Sequence, residues 1–178
     1  MELVIGQKVA YPSQGVCLVE DIERKIIGNA SIMFYLLRVL GDDSTIFVPT
    51  ENAENIGIRP IIGLSQFKKL ISELEKDFEE ISTDWKIRSR EYNEKLQSGD
   101  VFEAADVLKK LTFLSLEKKL SFREQNLLDK AKFLIISEIV NGNFVDEEKI
   151  ESKVSDLVQC ACRKHQIKQP RVMSAATH

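Results

Sequence analysis

Arg59-Pro60-Ile61-Ile62-Gly63-Leu64-Ser65-Gln66-Phe67 is the stretch where the chain changes period. Before it, apolar residues come in short runs cut by turn residues; after it, they recur every three to four positions, as on one face of a helix. The chain therefore reads as two units of different texture, a β unit over residues 1–62 and an all-α unit over residues 63–163.

In the first unit the apolar runs are Val4 to Ala10, Val16 to Ile22, Phe34 to Leu40 and Thr45 to Val48, and Pro12-Ser13-Gln14-Gly15, Gly28-Asn29 and Gly41-Asp42-Asp43 separate them. Runs rich in Val, Ile, Leu, Phe and Tyr between such turn residues are strands, and strands this close in sequence form a meander. A four- or five-stranded meander of about sixty residues curls into a small SH3-like or Tudor-like barrel. That kind of module binds partners. It offers no histidine, no nucleophile with a base and no phosphate-binding glycine loop.

The second unit reads as a bundle of about five helices. The first starts at Ser65 and carries Phe67, Leu70, Ile71 and Leu74 on one face, closing near Phe78. The second starts at Thr83-Asp84 and stops at Ser98-Gly99. Asp100 with Glu103, and Ser121 with Glu124, have the spacing of capping boxes and open the third and fourth helices. The rows Leu108, Leu111, Leu114 and Leu127, Ala131, Leu134, Ile135 mark these two as the centre of the bundle. A fifth helix after Asn141-Gly142-Asn143 turns Ile150, Val154, Leu157, Val158 and Ala161 inward. From about Lys164 the chain becomes polar, and residues 164–178 are expected to be a disordered tail.

The bulk numbers narrow the function. With 178 residues, 43% apolar and 30% charged, the chain is long enough for one domain or two small ones. A net charge of -3 argues against a protein that coats nucleic acid, so any DNA contact must come from a local patch. Charge is indeed segregated: Ile71 to Asp84 holds six acids and one lysine, whereas Leu108 to Lys132 holds seven bases and three acids. No apolar run is long enough to span a bilayer, and the Met1-Glu2 start lacks the layout of a signal peptide, so a cytoplasmic location without a membrane partner is expected. Cys17, Cys160 and Cys162 form an odd, sparse set and are expected to be reduced thiols.

Ser82-Thr83-Asp84-Trp85-Lys86-Ile87-Arg88-Ser89-Arg90 is the stretch most suggestive of a working surface. Asp84 or Thr83 caps the helix, which puts the single tryptophan in its first turn beside three basic residues. On a helical period Trp85 shares a stripe with Tyr92 and Leu96, interrupted by Arg88 and Ser89. Taken alone, a tryptophan on such a stripe is a packed core residue. The sharper reading is an aromatic wedge flanked by cations that hold phosphates. Likewise Arg88 and Arg90 could be plain solvated helix positions. Cys160-x-Cys162-x-x-His165 invites a zinc reading, but residues two apart on a helix do not face each other and three ligands are too few, so no metal and no cofactor is expected.

Gly6-Gln7-Lys8-Val9-Ala10-Tyr11-Pro12-Ser13-Gln14-Gly15, Val19 to Glu23, Val48 to Arg59, Trp85, Lys95 to Asp100, Lys119-Leu120-Ser121 and Leu127 to Ala131, taken together, resemble the CarD-like bacterial transcription regulators of the stand-alone CdnL type. The resemblance runs from about Leu3 to Cys162 across both textures. It implies a barrel that docks on the RNA polymerase β subunit and a helical domain that contacts promoter DNA at the upstream edge of the melted region. It implies that Trp85 is a wedge in the minor groove, that Lys86, Arg88 and Arg90 lie near phosphates, and that the DNA contact carries little sequence specificity. Charge alone adds Lys130 and Lys132, since the basic residue that relatives often carry at the position of Gln125 is missing. On the barrel, Arg24 and Lys25 occupy the place of a polymerase-contacting basic residue, and Phe47 stands where some relatives have arginine.

The reading is thus of a monomeric transcription regulator and not an enzyme: it stabilises the open promoter complex because a wedge binds melted DNA better than closed DNA. The alternative is an adaptor that binds protein on both units, which requires Trp85 to be buried.

Overall fold

The structure, a computed structural model, describes residues 1–169. Five strands form one antiparallel sheet: β1 (Lys8–Tyr11), β2 (Gly15–Ile27), β3 (Ala30–Val39), β4 (Thr45–Pro49) and the short β5 (Arg59–Pro60), in the order β4-β3-β2-β1-β5. The sheet is barrel-like, as expected. Its inner face alternates along the strands, so that Val9, Cys17, Val19, Tyr35, Leu37, Val39 and Val48 pack with Leu3, Ala53 and Ile58 in one core. A register shift between Val19 and Asp21 marks a bulge in β2, the usual device for bending a strand around such a core.

The β2–β3 hairpin is longer than its apolar pattern implies. Glu20 to Lys25 break the alternation at sequence level, yet pairing continues through Lys25↔Ile32 to Ile27↔Ala30, turning at Gly28 with φ +62°. Beyond the barrel this ribbon has no core to bury, and Ile26 and Ile27 at its tip are exposed.

After β4 a single helical turn, Thr50–Asn52, leads into α1 (Ala53–Ile56). Five longer helices follow: α2 (Leu64–Glu75), α3 (Trp85–Gln97), α4 (Val101–Glu117), α5 (Phe122–Asn141) and α6 (Glu147–Lys168). Their buried faces merge into a second core around Leu70, Leu74, Tyr92, Leu111, Ile135, Ile139 and Ile150. Of the two expected capping boxes only one is complete. Glu124 N–H donates to Ser121 Oγ and Ser121 N–H to Glu124 Oε2 (3.2 and 3.3 Å). Asp100 caps α4 by accepting from the Phe102 amide (2.8 Å), but Glu103 faces Lys95 instead (3.4 Å).

The helical unit does not end near residue 164. His165 is buried on α6, stacked on Phe78 (centroids 4.1 Å apart) and edge-on to Phe113, with Nδ1 2.7 Å from Asp77 Oδ1. Partial burial works against the Asp77 charge, but bonds from Lys168, His165 and the Phe78 amide outweigh it and hold the carboxyl down at about 2. This anchor corrects the expected tail: residues 164–168 are helical, and the rest of that expectation, residues 170–178, lies outside the described residues. Cys162 shares the buried face of α6, and burial pushes its thiol up to about 11. Among the described residues no three His, Cys, Asp or Glu side chains converge on a metal-sized site, and no helix is long and apolar enough to cross a membrane.

The two units meet chiefly where the start of β2 packs on the C-terminal half of α5, with Lys8 of β1 and Arg59 of β5 reaching across beside it. Arg59 donates from both terminal nitrogens to the Glu138 carboxylate (2.6 and 2.9 Å) and from Nε and Nη2 to the carbonyl of Gly99, while Ile62 N–H donates to Glu138 Oε1 (2.9 Å). Glycine is required here by contact as well as by backbone: Gly99 has φ +79°, and a β-carbon on it would lie 2.9 Å from Pro12 Cγ. The Phe133 ring sits similarly close under Gly15.

Candidate nucleic-acid and protein interfaces

The N-terminus of α3 is built by its own sequence. Asp84 Oδ1 accepts the Lys86 amide (2.8 Å), so the first turn is fixed and Trp85 occupies its first position. The turn is then tied to the bundle by Arg88, which is buried. Arg88 Nη2 donates to Glu124 Oε1 (2.7 Å), and Nη1 donates to the carbonyls of Ser82 and Thr83 (2.8 and 3.1 Å). Burial alone would raise the Glu124 carboxyl; the bonds from Arg88 and the Ser121 amide lower it. Arg88 is therefore turned into the bundle and not presented to solvent as the sequence expectation of a phosphate contact requires. Its place on the Tyr92–Leu96 stripe, read as an interruption, is where the guanidinium enters the bundle to join the starts of α3 and α5.

Trp85 stands at the open end of that stripe and is 56% exposed. The Lys86 ammonium stands 5.8 Å from its ring, and Lys86, Ile87 and Arg90 are all exposed. Trp85 forms one wall of an open cleft of about 710 Å³ whose other residues include Lys118, Lys119, Leu120, Phe122 and Arg123. Phe122 is 82% exposed. These neighbours were missed in the sequence, because Phe122 and Arg123 read as an ordinary helix start after the Ser121 cap. Adjacent basic residues on both sides of that cap were the available signal.

Lys130 and Lys132 do not line this cleft. Lys130 is two turns along α5 from Arg123 and shares its side of the helix. Lys132 faces Glu151 of α6 at 3.9 Å, in a hollow between the helices and Gly41 of the barrel unit. The basic segment is also thinner than its count suggests: Lys109 and Lys110 are buried, Lys109 on the carbonyl of Glu73 and Lys110 on Asp106.

On the sheet, pleating separates two residues that sequence grouped together. Lys25 pairs with Ile32 and Arg24 with Met33, so their side chains leave opposite faces of the ribbon. Lys25 lies on the face of Phe34 and Phe47. Its ammonium is 3.3 Å from the Phe47 centroid, and the two rings pack edge to face at 6.5 Å. Phe47 remains 44% exposed. Lys25 and Phe47 thus form one patch, and Arg24 belongs to another.

The molecule is a two-domain protein with an aromatic and cationic face on each unit, and comparison with known proteins gives its class. Residues 3–62 match the CarD-like/TRCF RID domain and residues 69–155 match the CarD C-terminal domain. The chain belongs to the CarD-like family, whose members are transcription-associated, RNA polymerase-interacting factors. It is 27% identical to the candidate transcription factor YdeB of Bacillus subtilis (strain 168) over 148 residues, 83% of this chain and 97% of that protein. It is also similar to the solution structure of the 72-residue N-terminal domain of Myxococcus xanthus CarD, 34% identical over 33% of this chain and 79% of that one, with a TM-score of 0.29.

Proposed function

We propose that the protein bridges RNA polymerase and promoter DNA and stabilises the open complex. The sheet unit, residues 1–62, docks on the polymerase β subunit through Lys25 and Phe47. The helical unit, from residue 63 onward, inserts Trp85 into the minor groove at the upstream edge of the melted region. Lys86, Arg90, Lys118, Lys119 and Arg123 hold the flanking phosphates, with Lys130 further along α5. The protein acts as a monomer, on the nucleoid in the cytoplasm where polymerase and promoter meet.

The observation that carries this reading is the exposed indole on a first turn locked by Asp84 and by the Arg88–Glu124 pair. A wedge costs least where base pairs are already unstacked, so it binds the melted state more tightly and shifts the equilibrium towards it. The adaptor alternative requires a buried Trp85, and the ring is not buried.

The test is the lifetime of open complexes with and without the protein. Trp85→Ala is expected to return the lifetime to that of polymerase alone while leaving polymerase binding and thermal stability intact, the latter within about 0.5 kcal/mol. Loss of polymerase binding together with a clear fall in stability would mean that the ring serves the core instead.

A further inference from the structure

We propose that the cleft between Trp85 and Phe122 is a nucleobase site, which takes one unpaired base from the boundary between melted and paired DNA. The inference rests on the DNA reading of the Trp85 face and adds to it a second aromatic wall and a ligand class.

Phe122 is the first residue of α5, and the Ser121–Glu124 box fixes the backbone beneath it. A phenylalanine is normally buried, yet this ring is 82% exposed and stacks on no other ring among the described residues. The Trp85 indole lines the same cleft, together with Leu120, Lys118, Lys119 and Arg123. Two separated aromatic walls with a basic rim are the combination that recognises single-stranded nucleic acid, because every base has a π-face and every linkage a charge.

Charge decides against a protein occupant. Among the described residues the only carboxylate lining the cleft, Glu124, is taken by Arg88 at 2.7 Å and by Ser121, so the remaining field is that of the lysines and arginine. A wedge needs one aromatic; a second wall gives the displaced base somewhere to go. Intact duplex presents no unpaired base, so the cleft should favour a fork.

Trp85 is the single tryptophan of the chain, and its fluorescence therefore reports the site directly. The full-length protein is titrated at low salt with a fork-junction oligonucleotide and with the matching blunt duplex, following Trp85 quenching and DNA anisotropy. The expected result is stronger quenching and tighter binding with the fork. Phe122→Ala is expected to lower fork affinity by about 5- to 150-fold, the range for loss of one stacked base, with little change for duplex. Phe122→Tyr should retain the preference, and an unchanged melting curve for either variant excludes misfolding.

Equal loss on fork and duplex, or no loss on either, overturns the nucleobase site while leaving the wedge reading in place, provided that Trp85→Ala still abolishes the open-complex effect. Undiminished fork binding by Phe122→Ala with loss of polymerase binding would assign the cleft to a protein. Failure of the parent protein to bind either DNA, together with no change in open-complex lifetime, removes both readings.

Discussion

Helix α5 carries a buried arginine–glutamate pair at each end, and the two are built in opposite senses. Near its C-terminus the carboxylate is the deep partner: the Glu138 side chain is 4% exposed, whereas that of Arg59 is 30% exposed. Near its N-terminus the guanidinium is the deep partner, with Arg88 at 4% and Glu124 at 12%. The first pair closes the joint between the sheet and the bundle; the second fixes the turn that presents Trp85. Fourteen residues of helix separate the glutamates, about 21 Å at 1.5 Å per residue. The same chemistry therefore serves as a weld at one end and as a mount at the other, and α5 sets the distance between them.

The weld should be the more sensitive to loss of its shallow member. Arg59→Ala leaves the Glu138 carboxylate buried with only the Ile62 amide, and frees the Gly99 carbonyl as well. A buried charge left unpaired costs about 3 to 5 kcal/mol, so this variant is expected to show the largest loss of stability in chemical denaturation. Because the pair joins the units, open-complex stabilisation should fall even though both contact faces keep their residues. An Arg59→Ala protein that retains parental stability and activity would show that the joint is not a weld.

The mount should break more gently, because the partner left behind can reach water. In Arg88→Met the Glu124 carboxylate keeps its capping bonds to Ser121 and some exposure, and about 2 kcal/mol of destabilisation is expected. The pH dependence has a definite sign. Glu124 has its carboxyl lowered in the folded state, so the stability that the pair contributes is present above the ordinary carboxylate value of 4.5 and is lost as pH falls. The difference between parent and variant should therefore narrow below about pH 4.5. A constant difference would mean that Arg88 contributes packing alone.

These two pairs also mark where the sequence could and could not be read. Periodicity located the five long helices and the meander, because apolar spacing is a local property. Ser121-x-x-Glu124 announced its box for the same reason, yet the equally spaced Asp100 and Glu103 did not form one, since Lys95 from the preceding helix competes for Glu103. The roles of Arg59 and Arg88 were hidden because their partners are 79 and 36 residues away. Charge in a sequence suggests a solvated surface, and nothing local says that a guanidinium will turn inward. Trp85 is the converse: its stripe suggested core, and only the fold shows that the bundle leaves the indole exposed at the end of that stripe. Grouping Arg24 with Lys25 fails on the ribbon for a simpler reason, since adjacent residues of a strand point to opposite faces.

Arg90 supplies the smallest and most discriminating prediction. It lies two positions beyond Arg88 on α3, so the helix turns it to the other side, where it is exposed and has no ion-pair partner among the described residues. Arg90→Ala should leave stability within about 0.5 kcal/mol of the parent. If its guanidinium meets a phosphate, the logarithm of DNA affinity should depend less steeply on the logarithm of salt, by about one unit of slope. Arg88→Met should behave in the opposite way, losing stability while its salt slope stays that of the parent, because a buried cation releases no counterions. Equal slopes for Arg90→Ala and parent would remove Arg90 from the DNA face, and a reduced slope for Arg88→Met would mean that the buried pair opens when DNA binds. The comparison of two arginines on one turn of α3 thus separates the mount from the surface it carries.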